Sequence, residues 1–221
     1  NTAVGQGSLE SITTGSNSTA VGVDALRDAS GNSNTALGKD AGLNITTGGN
    51  NILLGKDAGI TGSPGGNITT GSNTIVLGDE NIGALYCVQT SISSSDKRDK
   101  ADIENFDVGL SFINKMKPVT YKWDRRSWYV DSNATPDDIL AAKPDGSKKD
   151  DVTHVGFLAQ DIKALEEEVG FANNKKDMLF VNLTDDDTRY GMKYERLVTV
   201  LVNAVQELSA QVEELKSKIE E

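Results

Sequence analysis

Ser95 and Lys100 carry the side chains whose types and spacing could do covalent chemistry. A serine hydroxyl is a weak nucleophile until a base takes its proton, and an amine is such a base only when uncharged. The Lys100 amine would have to be kept neutral by burial or by neighbouring positive charge, and Lys97 and Arg98 are the cations at hand. Read that way, Ser95 and Lys100 are a self-cleaving pair. The same run, from Ser91 to Lys100, also suits a polar linker, and spacing alone favours the linker.

The run sits where one kind of sequence gives way to another. Upstream, a phrase recurs as Asn1-Thr2-Ala3-Val4-Gly5, Ser18-Thr19-Ala20-Val21-Gly22, Asn34-Thr35-Ala36-Leu37-Gly38, Asn51-Ile52-Leu53-Leu54-Gly55 and Asn73-Thr74-Ile75-Val76-Leu77-Gly78. Its closing glycines step by 17, 16, 17 and 23 residues, the last step stretched by an insertion around Ser63-Pro64-Gly65-Gly66. Ile12-Thr13-Thr14-Gly15 returns at Ile45 and Ile68, and Lys39-Asp40-Ala41-Gly42 returns at Lys56. Self-similarity at a near-fixed period predicts a stacked coil of short strands with Gly-Ser-Asn turns, a narrow β-roll or β-prism. Residues 1–85 contain no aromatic, so the interior is thin, and three identical chains around one axis would supply the missing burial. The opening in mid-repeat suggests a piece of something longer.

Downstream come all the Phe and Trp residues. Residues 84–92 read as a strand leading into the run. Ile103, Phe106, Leu110, Ile113 and Met116 recur at helical spacing, with Asp107 as N-cap and Pro118 ending the helix. Val119–Trp123 is strand-like, residues 131–151 read as a long exposed loop, and His154–Gln160 is a strand turning into a helix. Residues 178–183 and 190–194 are short strands, and Asp185-Asp186-Asp187 is a solvated turn without the spacing of a calcium loop. From Tyr194 one helix follows, with Val198, Leu201, Val205, Leu208, Val212, Leu215 and Ile219 in alternating steps of three and four. That is a coiled-coil seam about 40 Å long, whose β-branched a and Leu d positions by themselves lean to two strands. The fold class is therefore α+β: a repetitive β segment over 1–94, then a small α+β domain over 95–221 ending in a coiled-coil helix from about 194.

Charge and composition exclude several functions. The net charge is −11, with 7 acidic and 3 basic residues over 1–94 and 26 and 19 over 95–221. An acidic chain without a basic face repels nucleic acid and anionic membrane. Cys87 is the only cysteine and His154 the only histidine, so neither a disulfide framework nor a Cys- or His-based metal site is expected. No cofactor is expected, and no apolar run approaches membrane-spanning length.

Two resemblances follow from these motifs. The Asn-Thr-Ala-Val-Gly phrase with its Thr-Thr-Gly-Ser-Asn turns resembles repeats in phage tail fibres and in the heads of trimeric autotransporter adhesins. Ser95–Lys100, Lys117-Pro118-Val119-Thr120-Tyr121-Lys122-Trp123, Gly156-Phe157-Leu158-Ala159-Gln160-Asp161 and Tyr194-Glu195-Arg196-Leu197 resemble, in that order, the C-terminal intramolecular chaperone of phage tail spikes and fibres, a self-cleaving Ser–Lys peptidase family. The resemblance implies a homotrimer, so a three-stranded coiled coil. It also implies a chaperone that folds the preceding fibre, then cuts itself free. By position it makes Ser95 the nucleophile, Lys100 the base and Ser94–Ser95 the broken bond. It places the chain in a virion tail fibre assembled in the host cytoplasm, with a host-cell surface receptor as a partner of the whole fibre. Residues 131–151 are an insertion relative to that family. His154 and Gln160, near the third motif, could polarise the scissile carbonyl or be ordinary hydrogen-bonded residues; Trp123, Trp128 and Tyr129 could be a sugar platform, and more often are core. A trimeric adhesin tip without catalysis is the competing function. A membrane-tethered transcription factor using the same release domain is remote, given the repeats and the acidity.

Overall fold

The computed structural model describes residues 1–86, 93–131 and 134–220. Cys87 and most of the strand expected over 84–92 lie outside the described residues, and Ala84–Tyr86 has no regular structure. The chain divides into two compact units that interleave in sequence: Asn1–Gly83, Tyr121–His154 and Leu183–Tyr190 in the first, Ala84–Thr120, Val155–Asn182 and Gly191–Glu221 in the second.

In the first unit each phrase yields one three-residue strand: β1 (Thr2–Val4), β2 (Thr19–Val21), β3 (Thr35–Leu37), β4 (Ile52–Leu54) and β5 (Ile75–Leu77). They pair parallel and in register in the order β1-β2-β3-β4-β5, so Ala20, Ala36, Leu53 and Val76 stack above one another. This is a β-solenoid with one coil per repeat. A strand exposes alternate side chains to opposite faces, and here the middle residue points inward. Ala20, Ala36 and Leu53 are at most 1% exposed, and the turns add Leu26, Ile45 and Ile68 to the same interior. Each chain thus closes its own core. The stacked coils bury Leu and Ile even without aromatics.

Two features of the phrase enforce the stacking. Its first residue supplies an internal polar ladder. Buried Asn34 accepts from Asn51 N and Nδ2 (3.1 Å each) and donates to Gly48 O (2.9 Å), while Asn51 accepts from Thr74 N (3.0 Å) and donates to Gly71 O (2.9 Å). Its last residue is a glycine at positive φ, +139° at Gly22 and +135° at Gly38, where a Cβ would strike the glycine carbonyl of the next coil.

The rest of the first unit comes from beyond the solenoid. The stretch expected to be a loop over 131–151 contains α2 (Pro136–Ala141), with buried Ile139 on its inner face. Thr135 caps it and exchanges hydrogen bonds with Asp138, and Pro136 occupies the first helical position, where its missing N–H costs nothing. A Pro read as a loop marker is here a helix start.

In the second unit α1 (Leu110–Lys115), α3 (Ala159–Glu168) and α4 (Leu197–Glu220) surround an aromatic core. Phe112 and Phe180 lie 5.3 Å apart, and Phe106 is 6.2 Å from Phe171 and 6.3 Å from Phe180. α1 is shorter than its periodicity predicts: Gly109, not Asp107, is its N-cap, and Ile103 is 62% exposed. The reason lies in α4, whose Asn203 Nδ2 donates to the Phe106 and Val108 carbonyls (2.5 and 3.1 Å) and so holds that stretch extended. The two remaining sheets are two-stranded, β6 (Val119–Tyr121) with β7 (His154–Gly156) and β8 (Val181–Leu183) with β9 (Tyr190–Met192).

α4 follows a 3-10 turn over Tyr194–Arg196, where the sequence placed the helix start. Its inner face is Leu197, Val200 and Ala204. The heptad seam lies on another face, and all seven of its residues, Val198 to Ile219, are exposed in the single chain. Among the described residues no helix is long and apolar enough to cross a membrane.

Candidate active site

The Ser95–Lys100 segment is built by a local signal. Asp96 N-caps a one-turn 3-10 helix over Lys97–Asp99, accepting from Arg98 N (2.9 Å), and Lys100 N closes the turn on Lys97 O (3.3 Å). The tight turn reverses the chain, so residues five apart meet: Lys100 Nζ donates to Ser95 Oγ at 2.7 Å. The two residues singled out by chemistry are therefore in hydrogen-bond contact. In the reacting form the bond must run the other way, from the Ser95 hydroxyl to an uncharged Nζ.

The surroundings are less complete. Ser94, Ser95 and Lys100 are all exposed. Arg98 does not serve as a free cation beside the amine, because its guanidinium forks onto Asp96 (Nη2–Oδ2 2.6 Å, Nε–Oδ1 3.1 Å). That guanidinium, together with the Arg98 N–H, holds the Asp96 carboxyl below its ordinary range. Asp96 thus fixes the turn and neutralises Arg98 at once, and the single chain does not itself bury the dyad.

His154 stacks on Tyr121 (ring centroids 5.5 Å) with Nε2 3.6 Å from Asp150, contacts internal to the first unit. Gln160 is exposed in the first turn of α3. Arg125 lies 4.3 Å above the Trp123 ring, and the Tyr129 hydroxyl donates to Asp124 (2.7 Å), so these aromatics are tied into local packing.

Two carboxylates were missed by sequence reasoning. Glu166 is fully buried, and its Oε1 accepts from Leu179 N and Phe180 N (2.6 Å each), fastening the approach to β8 onto α3. Its place one turn after buried Ile162 was the available signal. Asp186 is half-buried rather than solvated and accepts from Asn67 N (2.7 Å), Thr184 Oγ1 (2.7 Å) and Thr188 Oγ1 (2.8 Å).

An α+β protein with a repetitive β-solenoid and a Ser–Lys contact at the head of the following module is thereby defined. Residues 95–171 match the family described as the chaperone of endosialidase, a self-cleaving family, and the match supports an intramolecular chaperone domain in this part of the chain. The match begins at Ser95 itself. No curated protein and no solved structure matches the chain.

Proposed function

We propose that the chain is the C-terminal part of a phage tail fibre or tail spike, whose chaperone domain drives trimerisation and folding and then releases itself by cutting between Ser94 and Ser95. The observation that carries the reading is the 2.7 Å contact between Lys100 Nζ and Ser95 Oγ, at the first residue of the family match.

Neutral Lys100 takes the hydroxyl proton as Ser95 Oγ bonds to the Ser94 carbonyl carbon. The C–N bond breaks, and the proton passes to the leaving nitrogen, which becomes the new α-amine of Ser95. The ester left on Oγ is opened by water, giving a Ser94 carboxylate and restoring the hydroxyl. Nucleophile and target share one chain, so no encounter is needed.

The step needs an uncharged amine, and in the single chain Lys100 is exposed rather than buried. Threefold assembly supplies the cover. The exposed seam of α4 gives the assembly its surface, and the dyad becomes competent only on a correctly formed trimer. The enzyme is thus an autocatalytic serine endopeptidase acting in cis, without cofactor. Intact-mass spectrometry and a denaturing gel test it: wild-type protein should give fragments 1–94 and 95–221, and Ser95→Ala only the full-length chain. Two fragments from Ser95→Ala would refute the assignment.

A further inference from the structure

The Ser94–Ser95 bond does not coincide with a boundary between compact units. Residues on both sides of it build the first unit, which joins Asn1–Gly83 to Tyr121–His154 and Leu183–Tyr190. The contacts between them converge on the last coil of the solenoid, at the insertion that stretches the final repeat to 23 residues.

The insertion is a preformed receptor. Buried Ser63 donates to Gly66 O (3.0 Å) and accepts from Gly59 N (3.1 Å), fixing the loop from inside. Arg189, from the β8–β9 hairpin, donates to Gly62 O (3.1 Å) and Ser63 O (2.8 Å). Asp186, from the same turn, accepts from Asn67 N (2.7 Å). One turn of chain thus presents a cation to two carbonyls and an anion to an amide. Glu80 completes it. Its carboxylate lies 4.0 Å from Arg189 and accepts from Ser127 Oγ, with side-chain exposures of only 15% for Glu80 and 22% for Arg189. Arg126 donates to the Thr188 carbonyl, so the two downstream segments grip as one body.

We propose that Tyr121–His154 and Leu183–Tyr190 form a clamp on the last solenoid coil that keeps fragments 1–94 and 95–221 together after the backbone is cut. Cutting then converts a covalent junction into a non-covalent one, and release becomes a second step. The proposal rests on the self-cleavage reading for the origin of the break, but not for the clamp itself.

The test is native size-exclusion chromatography of the full-length protein after self-cleavage, at micromolar concentration. The two fragments should elute together and part only in denaturant. Arg189→Ala should weaken their association about 10- to 100-fold, because it removes two hydrogen bonds across the junction and the cation beside Glu80. If that variant fails to fold, Asp186→Asn and Glu80→Gln, which keep the shape, should each weaken it about 10-fold. Wild-type fragments that elute apart would overturn the clamp, as would co-elution that none of the folded variants weakens. If wild-type protein does not cut itself, the dyad reading fails alone. The clamp is then tested in a chain with a protease recognition sequence placed over 87–92 and cut by added enzyme, with the same outcomes.

Discussion

In the solenoid the side-chain amides of Asn34 and Asn51 are matched by neighbours one coil away, whereas Ser95 and Lys100 meet on an exposed turn held by a single cap and a single ion pair. The first region is over-determined: each coil presents its successor with the same strand, the same buried position and the same orphan amide. The second has its geometry but not its environment. The contrast teaches that a repetitive segment can complete its core within one chain while the proposed dyad would need cover from outside that chain. A reaction meant to follow folding should depend on such an unfinished site.

The largest effect expected is on assembly. Leu208 lies in the exposed seam of α4 and is 45% exposed in the single chain. Leu208→Arg should reduce the mass seen in analytical ultracentrifugation from three chains to one and abolish cutting, while the solenoid keeps its β-type circular dichroism. A monomer that still cuts at the wild-type rate would remove the distinction between the two regions.

Next is the base. Lys100→Arg keeps the positive charge and much of the reach, but a guanidinium does not deprotonate. Cutting, followed on a denaturing gel, should slow by about 10²- to 10⁴-fold, the usual worth of a positioned base, with thermal stability unchanged. A comparable rate would mean that Lys100 merely orients Ser95.

The solenoid should respond in the opposite way. Leu53 is fully buried in β4, and Leu53→Ala should cost about 2–5 kcal/mol in denaturant unfolding of the first unit. Asn51→Ala, which strands Thr74 N and the Gly71 carbonyl, should cost about 2–3 kcal/mol. A loss near zero in both would mean that the coils do not unfold as a unit.

These residues also show what a sequence yields. The short strands and their stacking were legible because repetition states the same answer five times, but which side chain of each strand points inward was not. The Ser–Lys contact was legible because the signal is local: Asp96 caps the turn that closes it. What stayed hidden depended on distant partners. α1 begins late because Asn203, far along the chain, takes the carbonyls its first turn would have used. Glu166 is one of three consecutive glutamates, and only the fold brings the amides of Leu179 and Phe180 to it. Asp186 looked solvated because the amide of Asn67 lies across the proposed cut. The helix in 131–151 is different: Thr135, Pro136 and Asp138 spelled out its start, and proline was read as a breaker instead.

Asp186 gives a smaller prediction, one of pH. Burial opposes its ionisation, but hydrogen bonds from Asn67 N and from Thr184 and Thr188 outweigh it, leaving its folded value below the ordinary 3.8. A depressed folded value contributes stability that is complete above the ordinary one and is lost as pH falls through the folded one. The first unit should therefore show no dependence on this group near neutrality, and should lose thermal stability below about pH 4. Asp186→Asn should flatten that acid limb; an unchanged limb would assign it to other carboxylates.

The smallest effect belongs to the cap of the catalytic turn. Asp96 is partly exposed and bonds only within its own turn, so its replacement should leave the unfolding temperature of either unit where it is. Asp96→Asn keeps an oxygen for Arg98 N but loses the charge that engages the guanidinium. The freed Arg98 then has two opposite consequences. It loosens the turn that sets the 2.7 Å contact, which slows cutting, and it becomes a cation able to favour the neutral Lys100 amine, which speeds it. Asp96→Ala frees Arg98 in the same way but removes the cap oxygen as well, so the turn loosens further. Cutting should slow about three- to ten-fold in Asp96→Ala, the range expected for a lost cap, and less in Asp96→Asn. If Asp96→Asn cuts faster than wild type, charge limits the dyad more than geometry does; if both variants match wild type, the turn is positioned by the assembly rather than by its own cap.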